Sequence, residues 1–219
     1  MKRTIRLGLT GSIGMGKSTA SGHLRRLGVP VYDADRAVHE LFARGGAAVE
    51  AVRRSFADAV IDGAVDRTRL GTLVFGNPER LAHLESIVHP LVRRSEMRFR
   101  RRVGAERKPL AAFDIPLLFE TKGQGRYDFT VVLSAPDFVQ TSRVLARANM
   151  TAERLAAIRV RQVSNIEKRR LADFVIPTGL DRRLTLRRLA RIVRFFRGPR
   201  GLRWLKAASA RTRKPLCVK

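Results

Sequence analysis

Twelve residues near the amino terminus constrain this chain more than any other stretch. Gly8-Leu9-Thr10-Gly11-Ser12-Ile13-Gly14-Met15-Gly16-Lys17-Ser18-Thr19 spells G-x-x-x-x-G-K-[ST] directly behind an apolar run. The run Ile5-Arg6-Leu7-Gly8-Leu9 predicts a short buried strand and residues 18–27 predict a helix, so the glycines fall at a strand-to-helix turn. Gly11 and Gly16 admit backbone turns that a Cβ obstructs, and the exposed N–H groups, with the positive end of the helix, point at phosphate oxygens. Gly11, Ser12, Ile13, Gly14, Met15, Gly16, Lys17, Ser18 and Thr19 are therefore the candidate cradle for a nucleotide's phosphates. Lys17 is expected to reach the β- and γ-phosphates, and the Ser18 hydroxyl to hold Mg²⁺. Residues 1–107 contain eighteen arginines and two lysines, Lys2 and Lys17. A chain that prefers Arg has placed a slim point charge where phosphates crowd together.

The length of 219 residues suits one α/β domain with an insert, and 44% hydrophobic content supplies a core. No apolar stretch approaches the roughly 20 residues of a membrane span. The amino terminus runs straight into the first strand with no apolar signal segment, and the single cysteine, Cys217, allows no internal disulfide, so the expected compartment is the cytoplasm. The net charge of +26 raises nucleic acid as a partner. Its arginines are nevertheless spread along the chain and not gathered with aromatics into a stripe, so no specific nucleic-acid site is expected. Arg197 to Lys219 carries eight Lys or Arg and no acid, which reads as a basic tail over residues 198–219 following a single domain over 1–197. No feature specifies an oligomeric state.

Along the chain, Val29-Pro30-Val31-Tyr32 predicts a second strand ending at Asp33-Ala34-Asp35, with a helix to Leu41 stopped by Gly45-Gly46. Residues 47–104 read as helical, with no strand signal and an interruption at His89-Pro90 that divides one helix from the next. On the later of the two, Val88, Leu91, Val92, Phe99 and Val103 share a face opposite most of the arginines. Apolar runs at Leu110-Ala111-Ala112-Phe113-Asp114, Phe129-Thr130-Val131-Val132-Leu133 and Phe174-Val175-Ile176 predict three more strands of the kind buried on both faces. Residues 137–168 form a polar, Arg-rich helical stretch. The closing helix has Leu186, Leu189, Val193 and Phe196 as its inward stripe. The fold class is α/β: a doubly wound, parallel, five-stranded sheet of the phosphate-loop nucleoside triphosphate hydrolase type, with ligands at the carboxyl ends of its strands.

Asp33 and Asp35 stand where an acceptor is activated. A carboxylate there can orient or deprotonate an attacking hydroxyl, or it can cap the next helix; Asp33 is read as base or acceptor positioner and Asp35 as cap or supporting partner. Asp114 follows an apolar strand, the place of a carboxylate that holds Mg²⁺ through water or of one in a structural network. Pro116 through Phe119 read as an apolar wall for the acceptor. Arg143, Arg147, Arg159 and Arg161 can neutralise triphosphate charge, and Arg147 is the choice for the transition state. A lone histidine such as His89 usually serves packing or a hydrogen bond, and no His/Cys cluster has metal-ligand spacing.

Together these residues resemble the dephospho-CoA kinase family, over residues 4–197. The resemblance rests on the loop, on Asp33-Ala34-Asp35-Arg36, on His89-Pro90, on Asp114-Ile115-Pro116-Leu117-Leu118-Phe119-Glu120, on Arg159 to Gln162, and on Ala172-Asp173-Phe174-Val175-Ile176. It implies ATP- and Mg²⁺-dependent phosphorylation of the ribose 3′-hydroxyl of dephospho-CoA. It also implies Asp33 as base, a helical acceptor-binding insert at about 36–108, a lid at about 137–168, and Asp33, Asp35, His89, Leu117 and Arg161 as acceptor contacts. Ser12 and Met15 depart from the family's loop at variable positions, and Pro177-Thr178-Gly179 replaces a common Asn-containing turn. A nucleoside or nucleotide kinase, and a basic nucleic-acid-associated NTPase, are the alternatives.

Overall fold

In a computed structural model of the chain, which describes residues 3–148 and 150–198, Ile5–Thr10 forms β1, buried at every position but Arg6. A strand apolar on both faces must sit inside a sheet covered on both sides. It does: β1 pairs in parallel with β5 (Leu110–Asp114) on one side and β6 (Phe129–Ser134) on the other, and β6 pairs in parallel with β7 (Phe174–Pro177). With β2 (Val31–Asp33) the sheet has five strands in the order β2-β5-β1-β6-β7. This is the doubly wound sheet expected from the apolar runs, with the crossover next to β1 that opens a ligand site at the strand ends.

The described residues divide into two compact units, one formed by the chain up to Tyr32 and from Val103 onward, the other by Asp33–Arg102. In the first, α1 (Lys17–Arg26) and α9 (Arg182–Arg197) pack a common apolar cluster with the sheet through Leu24, Leu189, Ile192, Val193 and Phe196. Leu186, assigned to the inward stripe, is only half-buried, and Ile192 takes part in its place. Asp173 fastens the last strand: its carboxylate accepts from the Thr130 backbone N–H at 2.7 Å and hydroxyl at 2.8 Å. The polar stretch resolves into α6 (Asp137–Leu145), α7 (Ala152–Arg161) and α8 (Asn165–Leu171), held by buried Val144, Leu155 and Lys168.

The second unit contains α2 (Ala34–Phe42), α3 (Val49–Ser55), a two-stranded hairpin of β3 (Val60–Ile61) and β4 (Ala64–Val65), α4 (Arg67–Val74) and most of α5 (Pro78–Ala105). Two expectations are corrected here. The block expected to lack strands holds the antiparallel hairpin, turned at Asp62-Gly63 with φ of 49° and 77°. Asp-Gly between short apolar pairs is a type I′ turn signal, and it outweighs the helical pattern on either side. The break expected at His89-Pro90 is absent as well, because α5 continues through Pro90. Proline costs one hydrogen bond and crowds the carbonyl four residues back. Leu84, Ile87, Val88, Leu91 and Val92 pack on the same cluster with Leu41, Val52 and Phe56 on either side of that point, so tertiary burial holds the helix together.

No described helix is long and apolar enough to cross a membrane. The expected basic tail, from residue 199 on and with Cys217, lies outside the described residues.

Candidate active site

β1 delivers the chain into the loop of residues 11–16, and the loop's shape depends on its glycines. A Cβ on Gly11 would stand 2.8 Å from the Leu133 carbonyl oxygen, so only glycine lets the loop lie against β6. Gly16 caps α1 in the left-handed region at φ 82°, and brings no side-chain cap. The amides of the first turn are thereby left pointing outward at the positive end of the helix, the geometry that takes a phosphate. Lys17 folds back across the loop, its Nζ donating to the Gly11 carbonyl oxygen at 2.9 Å. Ser18 is exposed on that first turn, Thr19 is half-buried, and Met15 is buried beneath, its Sδ accepting from the Ala135 N–H at 3.0 Å.

Residues that the motif does not include bolt the loop in place. Thr178, in the turn after β7, donates its hydroxyl to the Met15 carbonyl at 2.9 Å, and its own carbonyl accepts from Arg143 at 2.7 Å. The Arg143 guanidinium comes within 3.9 Å of where a Gly16 Cβ would sit. Ile13 is gripped twice by the helical stretch: its N–H donates to Gln162 Oε1 at 3.2 Å, and its carbonyl accepts from Gln140 Nε2 at 2.8 Å. Arg159 donates to Gln140 Oε1 at 2.7 Å and to the Thr141 hydroxyl at 3.0 Å. Arg147 and Arg161 are exposed. Arg143 and Arg159 are thus joined to residues that touch the loop.

Asp114, at the end of β5, is 6% exposed and accepts from the Ser21 hydroxyl at 2.6 Å. Ser21 lies one turn beyond Ser18 on α1, a helical spacing that could have flagged it. The donor set fits Mg²⁺, a hard cation that takes one or two protein oxygens and keeps waters and phosphate oxygens for the rest: Ser18 and Asp114 offer a hydroxyl and a carboxylate. Among the described residues no group of three or more His, Cys, Asp or Glu forms a metal cage.

Asp33 ends β2 and is also the N-cap of α2, its Oδ1 accepting from the Arg36 N–H at 3.0 Å. The capping task given to Asp35 therefore belongs to Asp33, and Asp35 lies exposed in the first turn, where an acid suits the helix dipole. His89 is exposed on α5. The apolar wall is also smaller than expected: Leu118 and Phe119 are buried in the protein, leaving Leu117 exposed at 44% beside half-buried Ile115 and Pro116. Residues 116–120 form a turn closed by the Thr121 N–H on the Leu117 carbonyl at 3.2 Å and the Gly123 N–H on the Leu118 carbonyl at 2.8 Å, and its inner side enters the core.

With this geometry in hand, comparison with known proteins is specific. The dephospho-CoA kinase family model matches residues 5–180. The chain is 58% identical to the dephospho-CoA kinase of Paramagnetospirillum magneticum over 89% of its own length and 92% of that protein's. It is 53% identical to that of Rhodospirillum rubrum over 84% and 87%. Among solved structures, TT1252 from Thermus thermophilus superposes with a TM-score of 0.77 at 38% identity, covering 88% of this chain and 97% of that one. Dephospho-CoA kinase from Campylobacter jejuni shares the fold with a TM-score of 0.61 at 23% identity, covering 89% and 99%. The chain belongs to the dephospho-CoA kinase family.

Proposed function

We propose that this chain transfers the γ-phosphoryl group of ATP to the ribose 3′-hydroxyl of dephospho-CoA, giving coenzyme A and ADP, the last step of coenzyme A synthesis. The observation that carries the reading is the loop itself: Lys17 lies across Gly11 while the first turn of α1 keeps its amides for phosphate, in a chain of this family.

Phosphoryl transfer asks the protein for positioning and charge neutralisation more than for covalent chemistry. The loop amides of residues 11–19 and Lys17 hold the β- and γ-phosphates. Ser18 and Asp114 are the residues that hold Mg²⁺, which when bound neutralises charge on the phosphate oxygens. The insert at about 36–108 receives the acceptor, with Asp35, His89, Leu117 and Arg161 as its candidate contacts. Asp33 takes the proton of the 3′-hydroxyl as its oxygen bonds to the γ-phosphorus, and the bond from that phosphorus to the bridging oxygen of ADP breaks. Arg143, already beside Gly16, attends the bound phosphates, and Arg147 brings its charge to the transferring group when the lid at about 137–168 closes. Family membership supports a cytoplasmic setting for this reaction.

The test is ADP release from ATP in the presence of dephospho-CoA, a nucleoside, or single-stranded nucleic acid. The reading expects stimulation by dephospho-CoA, lost in Lys17→Ala. A response to the nucleoside alone would make the chain a nucleoside kinase, and a response to nucleic acid alone would remove the metabolic reading.

A further inference from the structure

Lys168 is completely buried, and no part of the phosphate-transfer chemistry accounts for it. A lysine is almost never enclosed unless it is paired, because removing an ammonium from water is costly. Here Nζ stands 2.8 Å from Glu120 Oε1, and it also donates to the Ser12 hydroxyl at 3.3 Å. Three separate parts of the chain meet at one ammonium: α8, which carries Lys168; the segment after β5, which ends at Glu120; and the phosphate loop, through Ser12. The same Glu120 oxygen accepts from the Val163 N–H at 3.1 Å, so the carboxylate is anchored from the helical stretch as well. Phe119, next to Glu120 in sequence, and Val163, which donates to it, belong to one apolar cluster with Val132, Ala172 and Val175. In such surroundings a charge-assisted hydrogen bond gains strength and geometric definition.

We infer that Lys168 is a positioning residue for the ATP loop: its buried ammonium, fixed by Glu120, holds the Ser12 hydroxyl and with it the entry of the loop. The neighbouring contact of Gln162 with the Ile13 N–H ties the next loop residue to the same stretch. Ser12, at a position the motif leaves variable, thereby has a task of its own. A preset loop binds the triphosphate without first being ordered, so the effect belongs to nucleotide affinity and not to the acceptor. The inference rests on the loop being the ATP site proposed above.

The experiment compares wild-type protein with Lys168→Met, Ser12→Ala, the double variant Lys168→Met/Ser12→Ala, and Lys168→Met/Glu120→Gln. The last removes both buried charges together and so preserves folding if a lone Glu120 carboxylate does not. Circular dichroism checks the fold, calorimetry with Mg²⁺ and ATP gives Kd, and steady-state rates give KM for each substrate. Lys168→Met, or its charge-balanced double, is expected to raise Kd and KM for ATP about tenfold while KM for the acceptor and kcat stay within about twofold. Ser12→Ala is expected to weaken ATP binding about threefold, and Lys168→Met is expected to add less than its full effect in that background, because the two act through one contact. Unchanged ATP affinity in folded Lys168 variants overturns the inference, and so do fully additive effects of Lys168 and Ser12, or losses spread equally over both substrates and kcat. Wild-type protein that binds no ATP would instead overturn the functional reading on which this one rests.

Discussion

The Ser21 hydroxyl donates to the Asp114 carboxylate at 2.6 Å, with both side chains buried. This bond joins the helix that follows the phosphate loop to the strand end that carries the proposed Mg²⁺ ligand. It fixes the direction of the carboxylate before any ligand arrives.

Ser21→Ala removes a hydroxyl donor from a carboxylate that is only 6% exposed. The expected cost is about 1–3 kcal/mol, seen as a Tm lower by about 2–10 °C. If Asp114 serves Mg²⁺, the Mg²⁺ concentration giving half-maximal rate also rises. A variant with wild-type Tm and Mg²⁺ dependence would show that the bond orients nothing of consequence.

Asp33 carries two tasks that substitution can separate. Asn caps a helix as well as Asp does, so Asp33→Asn keeps the bond to the Arg36 N–H and the Tm of the native protein. It cannot accept the proton, and kcat is expected to fall about 10²–10⁴-fold with ATP affinity nearly unchanged. Asp33→Ala loses the cap too, at a further cost of about 1 kcal/mol in stability. Full turnover in the Asn variant rejects the base.

Arg143 and Arg147 are expected to fail in different ways. Arg143 is held to the Thr178 carbonyl and lies beside Gly16, so Arg143→Ala should raise Kd for ATP about tenfold. Arg147 is exposed in the turn after α6, and Arg147→Ala should lower kcat by about 10²-fold or more while leaving that Kd within a few-fold. Matched kcat and Kd changes in the two variants would refute this division.

His23, buried on α1, has its pKa lowered from 6.5, first by burial and then by the positive charge of Arg26. The folded state therefore holds a neutral imidazole at a pH where the unfolded chain already binds a proton. Because the unfolded state binds more protons, stability rises with pH through this window and is lost as pH falls below 6.5. A Tm series over about pH 5 to 8 should step down on the acid side, and His23→Gln should flatten the step. An unaltered profile in the variant assigns the loss to other groups.

Fold class and loop were legible because both follow from local order. Short apolar runs rich in β-branched and aromatic residues and bounded by turn signals fit strands buried on both faces, and Gly-rich spacing between such a run and a helix leaves few other shapes for the backbone. Asp62-Gly63 and the helical spacing of Ser18 and Ser21 carry local signals too. What no local rule reaches is the long-range pairing. Pro90 stops a helix by itself, yet α5 passes through it because the apolar residues on both sides are buried in one cluster. Lys168 reads as one cation in a charged helix; only the packing of three distant segments excludes water from it and turns it toward Glu120 and Ser12. Local sterics and hydrophobic period are written residue by residue, whereas desolvation of a charge is decided by which neighbours the folded chain gathers around it.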